Sequence, residues 1–172
     1  SCPAAYTLIP TDADTLDITD PRQIADALAQ FKPDVLINGA AYTAVDKAES
    51  ETALAERINH NAAGYLAQAA DQYSIHFIQI STDFIFDGQQ ASPYAVDAIA
   101  NPLSVYGATK WRGEEAVRAA APNHLIIRTS WLYSVHGHNF VKTMLKLMAT
   151  KDQLGVIYDQ IGTPTWANTL AS

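Results

Sequence analysis

Short apolar runs, separated by polar or turn-forming residues, recur along this chain. Runs of this length bounded by Pro, Gly, Asn or Asp are typical of buried strands. They predict strands at 5–9, 34–38, 75–80, 125–127 and 154–158. The first run ends at Pro10, which cannot donate a hydrogen bond to a neighbouring strand.

Between the apolar runs, hydrophobic residues recur at the spacing of an α-helix. Asp20 followed by Pro21 predicts the N-cap and the first residue of one helix. The apolar face of that helix comprises Ile24, Ala25, Leu28 and Phe31. Further helices are predicted at 50–73, from about 106 to about 120, and at 140–150. Strands that alternate with helices indicate an α/β fold with a parallel sheet.

Three side chains with complementary chemistry follow the strand at 75–80. Thr82 stands at the carboxyl end of that strand, where open α/β sheets hold their ligands. Tyr106 and Lys110 are four residues apart, a spacing that shares one helix face. An ammonium fixed beside a phenol lowers the pKa of the phenol. We therefore expect Tyr106 to exchange a proton with a carbonyl or alkoxide oxygen that Thr82 also contacts, although such a pair alone more often only packs and solvates a helix.

Longer motifs make this constellation more specific. They are "STDFIFDG" at 81–88, "NPLSVYGATK" at 101–110 and "RTSW" at 128–131. Together they resemble the extended short-chain dehydrogenase/reductase superfamily and, within it, the dTDP-4-dehydrorhamnose reductases. The segments "NGAAYTAVDKAE" at 38–49 and "DQIGTPT" at 159–165 extend the resemblance from about residue 16 to residue 165. The resemblance implies a Rossmann-like, doubly wound parallel sheet with helices on both faces.

The reaction that the resemblance implies is reduction of the C4 ketone of dTDP-4-dehydro-L-rhamnose to dTDP-L-rhamnose by NADPH or NADH. Tyr106 is expected to give the proton, Thr82 to hydrogen-bond the ketone oxygen, and Lys110 to lower the pKa of Tyr106 and hold the nicotinamide ribose. The residues expected to contact the dTDP-sugar are Asp83, Phe84 and Trp131.

Further cofactor contacts come from the resemblance alone. The expected contacts are Asp12, Asp17, Ile18, Ala40, Ala41 and Tyr42, besides Tyr106 and Lys110. Residues 16–18 match a short third strand near the adenine, and Asp12 an acid that binds the adenosine ribose. The alternative for Asp12 is a solvated loop residue, and the alternative for the small residues at 39–41 is a tight turn without a ligand. In the wider superfamily an asparagine at the position of Asn59 braces the sheet, so we interpret it as structural.

The chain departs from this family at both ends. It contains no Gly-x-x-Gly-x-x-Gly turn, which holds the pyrophosphate at a helix N-terminus. We interpret residues 1–172 as one incomplete domain, a fragment or a shortened paralogue, with the substrate lobe starting at about 153. The missing first strand leaves a gap beside 34–38, which residues 4–9 or a strand of a second chain would fill. We expect the chain alone to bind dinucleotide weakly or not at all.

Composition narrows the class of partner. Eleven basic and eighteen acidic residues give a net charge of −7, which argues against binding nucleic acid through its phosphates. The single cysteine, Cys2, fits a reducing compartment, and no apolar run approaches the ~20 residues of a membrane helix. We therefore expect a cytoplasmic protein. We expect no metal site, because His136 and His138 lack a nearby ligand cluster.

Other functions remain open from the sequence. A sugar-nucleotide dehydratase is disfavoured because Phe84 replaces the glutamate that such enzymes carry in this motif. A sugar-nucleotide epimerase is less clearly excluded. The non-catalytic alternatives are a regulatory subunit like that of methionine adenosyltransferase and an inactive remnant of the fold. The choice between NADH and NADPH and the oligomeric state, a homodimer being one alternative, are not decided.

Overall fold

The structure is a computed structural model that describes residues 5–172, so that Cys2 and Ala4 lie outside the described residues. The chain forms two compact units, one ending at Ile127 and the other running from Arg128 to Ser172. The α-helices are α1 (Pro21–Phe31), α2 (Val45–Ala48), α3 (Thr52–Glu56), α4 (Ala62–Gln72), α5 (Val105–Ala120), α6 (Phe140–Met148) and α7 (Ala167–Ala171). The strands are β1 (Val35–Asn38), β2 (His76–Thr82), β3 (His124–Thr129), β4 (Leu132–Tyr133) and β5 (Thr165–Trp166).

The first unit is built on a three-stranded sheet in the order β1-β2-β3. β1 and β2 are parallel, with Val35 opposite His76 and Asn38 opposite Gln79. In the second unit β4 pairs with β5, also in parallel. Parallel strands joined through helices confirm the α/β fold predicted from the alternation of strands and helices.

The hydrophobic core of the first unit lies between β2 and the helices α1, α4 and α5. Its largest completely buried members are Ile24, Phe77 and Val117, and α4 contributes mainly alanines. Asp20 caps α1 as predicted, because its carboxylate accepts a hydrogen bond from the Arg22 amide at 2.9 Å. Small side chains on α4 let the neighbouring elements approach its backbone closely.

The predicted helix at 50–73 contains a turn that its periodicity does not reveal. Residues Arg57–Asn61 form a π-helical turn between α3 and α4. A Cβ atom added to Gly113 of α5 would stand 2.2 Å from the Asn59 carbonyl oxygen of this turn. Only glycine therefore fits at 113, and α5 lies directly on the backbone of the π-turn. Such turns inside α-helices often occur at functional sites.

Three predicted strands are absent from the described residues. Residues 16–18 form turns instead, in which the Leu16 amide bonds to the Asp12 carbonyl and the Asp20 amide to the Asp17 carbonyl. Residues 5–9 and 154–158 belong to neither sheet. A strand needs a neighbour to satisfy its backbone groups, and an apolar run does not supply one.

Burial also differs from the prediction at several apolar elements. β1 was expected to be buried, yet Val35 and Ile37 are 44% and 59% exposed. β3 is present, but Leu125 is 53% exposed. The amphipathic helix predicted at 140–150 forms as α6, and none of its residues is buried.

β1 is an edge strand of its sheet among the described residues. Residues 5–9 do not pair with β1, so the alternative that this segment fills the gap beside it is wrong. Filling by a strand of a second chain stays a prediction. No helix in the described part of the chain combines the length and apolar character needed to cross a membrane.

We predict that Gly113→Ala destabilises the fold. Alanine favours a helix interior over glycine by about 1 kcal/mol, but its Cβ would collide with the Asn59 carbonyl. We expect a net loss of roughly 1–3 kcal/mol in the free energy of unfolding, measured with urea.

The matched control is Gly39→Ala, because a Cβ at Gly39 has nothing within 4 Å. A Gly113→Ala chain as stable as the Gly39→Ala chain would contradict the close approach of α5 to the π-turn.

Candidate active site

The site begins where β2 ends. Thr82, its last residue, is buried and opens the 3₁₀ turn Asp83–Ile85. The Phe84 amide donates to the Thr82 hydroxyl at 3.2 Å, and the hydroxyl lies 3.2 Å from Oδ1 of Asp83. A threonine in this place satisfies the backbone of the turn while its oxygen stays at the strand end.

The first turn of α5 is held against this 3₁₀ turn. The Ser104 hydroxyl accepts from the Gly107 amide at 3.1 Å, and the Glu49 carboxylate accepts from the Val105 amide at 2.8 Å. A Cβ atom on Gly107 would lie 2.1 Å from the Phe84 carbonyl oxygen. The capped and closely packed helix start therefore places Tyr106 beside the end of β2.

Tyr106 lies beside Thr82, as predicted, but its pKa shifts in the direction opposite to the expected one. Burial raises the pKa of Tyr106, a hydrogen bond with the Thr82 side chain lowers it, and the charge of Asp83 raises it. The net pKa of Tyr106 lies above its ordinary value. The expected lowering of the Tyr106 pKa by Lys110 is therefore wrong for this structure, because Lys110 is not among the causes of the shift and desolvation dominates it. The protonated phenol is the form this environment favours.

Lys110 is buried behind the strand end. Its Nζ donates to the Ile80 carbonyl at 2.7 Å, and the side chain is 4% exposed. Burial lowers the pKa of Lys110 to about 8, and the charge of Glu114 acts in the opposite direction. The four-residue spacing predicted that Tyr106 and Lys110 share a helix face, but it could not show that the ammonium binds a main-chain carbonyl.

The loop after β1 carries the expected cofactor contacts Ala40, Ala41 and Tyr42. Oδ1 of Asn38 accepts from the Ala40 amide at 3.1 Å, and its Nδ2 donates to the Gln79 side chain at 2.9 Å. Gly39 and Ala40 are exposed, and Ala41 and Tyr42 are half-buried. The Tyr42 phenol donates to the Glu51 carboxylate, which raises the pKa of Tyr42. What this loop offers a ligand is therefore mainly its backbone.

Asn59 joins this loop to α5. Its Oδ1 accepts from the Tyr42 amide at 2.8 Å, and its Nδ2 donates to the Tyr42 carbonyl and to the Thr109 hydroxyl, both at 3.1 Å. Thr109 in turn donates to the Tyr106 carbonyl at 2.9 Å. Asn59 is thus structural, as predicted, but it braces the loop and the helix rather than the sheet.

Asp83 and Phe84, two of the expected substrate contacts, lie beside Tyr106. The rings of Phe84 and Tyr106 meet edge to face, with centroids 5.4 Å apart and planes 75° apart. Burial raises the pKa of Asp83. The structure therefore brings Thr82, Tyr106 and these two side chains into one cluster at the end of β2.

The loop at 89–101, a polar segment that follows the "STDFIFDG" motif, is organised by Asp87. Oδ1 of Asp87 accepts from the Tyr94 phenol at 2.9 Å, and Oδ2 accepts from the Asn101 side chain at 3.0 Å. Tyr94 also stacks on Phe86 at 4.2 Å between ring centroids. The aspartate of this motif therefore orders a loop.

The residues assigned to the adenosine end of the cofactor lie in the segment before α1. The Asp12 carboxylate accepts from the amides of Asp14 and Thr15 at 3.1 and 3.2 Å. The Asp17 carboxylate accepts from the amide and hydroxyl of Thr19, which lowers the pKa of Asp17. Ile18 packs against the core. Both carboxylates serve their own turns, and their role towards a cofactor stays a prediction.

Trp131, the remaining substrate contact, belongs to the second unit. Its backbone has φ 47°, a left-handed conformation that is uncommon for a bulky residue. A Cβ on Gly162 would lie 2.7 Å from the indole, and the Ser130 hydroxyl donates to the Thr163 carbonyl at 2.7 Å. The "RTSW" and "DQIGTPT" motifs therefore meet each other, and strained backbone of this kind is often found where a side chain serves a ligand.

Some residues important to the site escaped the sequence interpretation. Gly107, Thr109 and Gly113 lie within or next to the helix motif, but only contacts distant in sequence explain them. Glu114 is fully buried, and the spacing of charged residues along the helix does not indicate this burial.

Known proteins are similar to this chain over most of its length. A family model described as "RmlD substrate binding domain" matches residues 3–172. A dTDP-4-dehydrorhamnose reductase of Aggregatibacter actinomycetemcomitans is 42% identical over 167 residues, covering 97% of this chain and 57% of that protein. The chain thus spans little more than half the length of this curated relative.

Solved structures give the same picture. A dTDP-4-dehydrorhamnose reductase from Clostridium acetobutylicum is 47% identical with a TM-score of 0.92, covering 95% of this chain and 58% of that one. Another from Bacillus anthracis, solved in complex with NADP, is 38% identical with a TM-score of 0.96, covering 99% and 60%. These similarities confirm the Rossmann-like α/β fold and the resemblance read from the motifs.

We predict that Lys110→Met alters the pH dependence of stability. The pKa of Lys110 is about 8 in the folded chain and roughly 10.4 in an unfolded one. Between these values only the unfolded chain holds the proton. The free energy of unfolding therefore rises with pH, by roughly 3 kcal/mol in total for the Lys110 contribution, and this gain is lost as pH falls through about 8.

Urea unfolding between about pH 7 and pH 10 measures the free energy of unfolding of the wild type and of Lys110→Met. As pH rises, the wild type should become more stable relative to Lys110→Met. Lys47→Met, which removes an exposed lysine on α2, is the control and should parallel the wild type. Parallel curves for Lys110→Met would mean that the ammonium is not buried.

Proposed function

This chain belongs to the RmlD substrate-binding-domain family, and on that premise we propose that its complete gene product reduces the C4 ketone of dTDP-4-dehydro-L-rhamnose to dTDP-L-rhamnose. The cofactor in this proposal is NADPH or NADH, in line with the NADP bound by the Bacillus anthracis relative. The observation that carries the proposal is that two hydroxyl-bearing side chains, Thr82 and Tyr106, come together at the end of β2, where the Thr82 side chain acts on the pKa of Tyr106. Two such donors suit a ketone oxygen that gains negative charge.

Tyr106 is suited to act as the acid of a reduction. Its raised pKa keeps the phenol protonated at neutral pH, which is the form required to give a proton to the C4 oxygen. Thr82 holds the same oxygen by a second hydrogen bond. The C4 carbonyl receives a hydride at carbon and the Tyr106 proton at oxygen, so that the ketone becomes an alcohol.

The loop after β1 is suited to support the nicotinamide end of a dinucleotide. A Cβ on Gly39 would meet no protein atom within 4 Å, so packing within the chain does not require glycine there. A ligand lying against this backbone would require it. The reduced nicotinamide supplies the hydride when bound, while Ala40, Ala41 and Tyr42 support it and Lys110 offers its remaining N–H groups to the ribose.

The remaining site residues complete the proposal. Asp83, Phe84 and Trp131 contact the dTDP-sugar, and Asp12, Asp17 and Ile18 serve the adenosine end. The rings of Phe84 and Tyr106 meet edge to face. A phenylalanine at this position supplies no second acid or base, which gives no support for elimination of water. A cytoplasmic location and a homodimer stay predictions from the sequence.

The proposed function is tested by supplying the complete gene product with dTDP-4-dehydro-L-rhamnose and NADPH or NADH. We expect loss of the reduced-nicotinamide absorbance and formation of dTDP-L-rhamnose. Parallel incubations with dTDP-glucose and UDP-galactose detect dehydration and epimerisation. Turnover of either of these in place of the reduction would contradict the proposal, and absence of any turnover would favour the regulatory alternative.

We predict that Tyr106→Phe lowers turnover by about 10²–10⁴-fold while cofactor binding is nearly unchanged. The variant loses the hydroxyl that gives the proton but keeps the ring that packs on Phe84. Steady-state kinetics beside a fluorescence titration with NADPH separate the two effects. Tyr94→Phe, in the loop at 89–101, controls for the loss of a phenol elsewhere. Wild-type turnover in Tyr106→Phe would remove this residue from the chemistry.

A further inference from the structure

Glu114 is a charged residue in the core of the first unit that the proposed reaction does not use. Its side chain is completely buried in α5. Oε1 accepts from the Ser81 hydroxyl at 2.6 Å, and Oε2 accepts from Nη2 of Arg118 at 2.7 Å. The carboxylate therefore connects the helix that carries Tyr106 with the strand that carries Thr82.

One contact of this carboxylate, Ser81, and one neighbour on its helix, Lys110, lead to the site. Ser81 immediately precedes Thr82 in β2, and Lys110 lies one helical turn before Glu114, on the same face. The charge of Glu114 opposes the burial that lowers the pKa of Lys110 to about 8. Loss of that charge would lower the pKa of Lys110 further, so that a larger share of Lys110 would be uncharged.

Packing alone does not call for a carboxylate at this position. Burying a charged group costs free energy before its partners are counted. An apolar side chain would pack α5 against the core without that cost. Val117, three residues later in the same helix, packs in this way. The partner Arg118 is partly exposed, which limits what the ion pair returns in stability.

We propose that Glu114 is a positioning residue for the reduction: it fixes the end of β2 through Ser81 and keeps the ammonium of Lys110 charged. This inference rests on the proposed function. Glu114 touches neither substrate nor cofactor and acts through these two neighbours. Its chemistry is that of a buried counter-charge placed behind a catalytic lysine.

Other carboxylates on elements packed against α5 have different partners. Asp83 of the 3₁₀ turn acts on Tyr106 and bonds to Thr82. Glu56 of α3 bonds to Arg112 and His60. The charged groups on the neighbouring helices and the π-turn that are exposed are Asp46, Lys47, Arg57 and Asp71. Glu114 is the group whose charge raises the pKa of Lys110.

The test compares Glu114→Gln with Glu115→Gln. The first keeps an oxygen that can accept from Ser81 but removes the buried charge, and the second removes the same charge from the adjacent, exposed position. The titration of Lys110 is followed by the ¹³Cε chemical shift of labelled lysine in the 172-residue chain, with Lys110→Arg identifying the signal. We expect its midpoint to fall by about one pH unit in Glu114→Gln and to stay in place in Glu115→Gln.

Kinetics of the complete gene product give the second readout. In Glu114→Gln the basic limb of the pH–rate profile should move to lower pH by a similar amount, with KM for the dTDP-sugar little changed. Glu114→Asp, which retains a carboxylate, should restore the limb. A Lys110 midpoint and a basic limb that both match the wild type in a folded Glu114→Gln protein would overturn the proposal.

Ser81→Ala tests the positioning half and does not depend on the folding of Glu114→Gln. It removes the hydrogen bond between Glu114 and β2 and keeps the charge of Glu114. Turnover should therefore fall severalfold while the titration midpoint of Lys110 stays in place. Wild-type turnover in Ser81→Ala would overturn this half. If the wild-type protein lacks reductase activity, the proposed function itself fails, which is distinct from an unshifted Lys110 in an active enzyme.

Discussion

The close packing of α5 on backbone is the constraint from which the site follows. Gly107 leaves no room for a Cβ against the Phe84 carbonyl, and Gly113 leaves none against the Asn59 carbonyl. With both ends of the helix face fixed in this way, Tyr106 and Lys110 have little freedom to move relative to the end of β2. The glycine in the motif "YGATK" is thus needed to place the tyrosine and the lysine.

Buried hydrogen bonds extend this fixation to the loop that would support a cofactor. Asn59 bonds to both backbone groups of Tyr42 and to Thr109, while Asn38 bonds to Gln79. The Ile80 carbonyl accepts from Gln79 Nε2 at 2.9 Å and from Lys110 Nζ at 2.7 Å. Buried networks that are fully bonded make a structure rigid and specific. The site is therefore organised by the chain itself.

The local sequence pattern predicted some parts of the structure correctly and missed others, for physical reasons. The Asp20 cap, α5 and the strand before Thr82 depend on residues near in sequence and were predicted. The strands expected at 5–9, 16–18 and 154–158 need neighbours that apolar runs do not reveal. The π-turn at Arg57–Asn61 is invisible in an amphipathic pattern, and the pKa shift of Tyr106 depends on burial rather than on spacing.

The central claim is that Thr82, Tyr106 and Lys110 are held in their reactive arrangement before any ligand binds. Crystal structures of the complete gene product, with and without NADPH, test it most directly. We predict that these three side chains superpose within about 0.5 Å and that Lys110 keeps its bond to the Ile80 carbonyl in both. Movement of the first turn of α5 on binding, or a Lys110 that leaves Ile80, would contradict the claim.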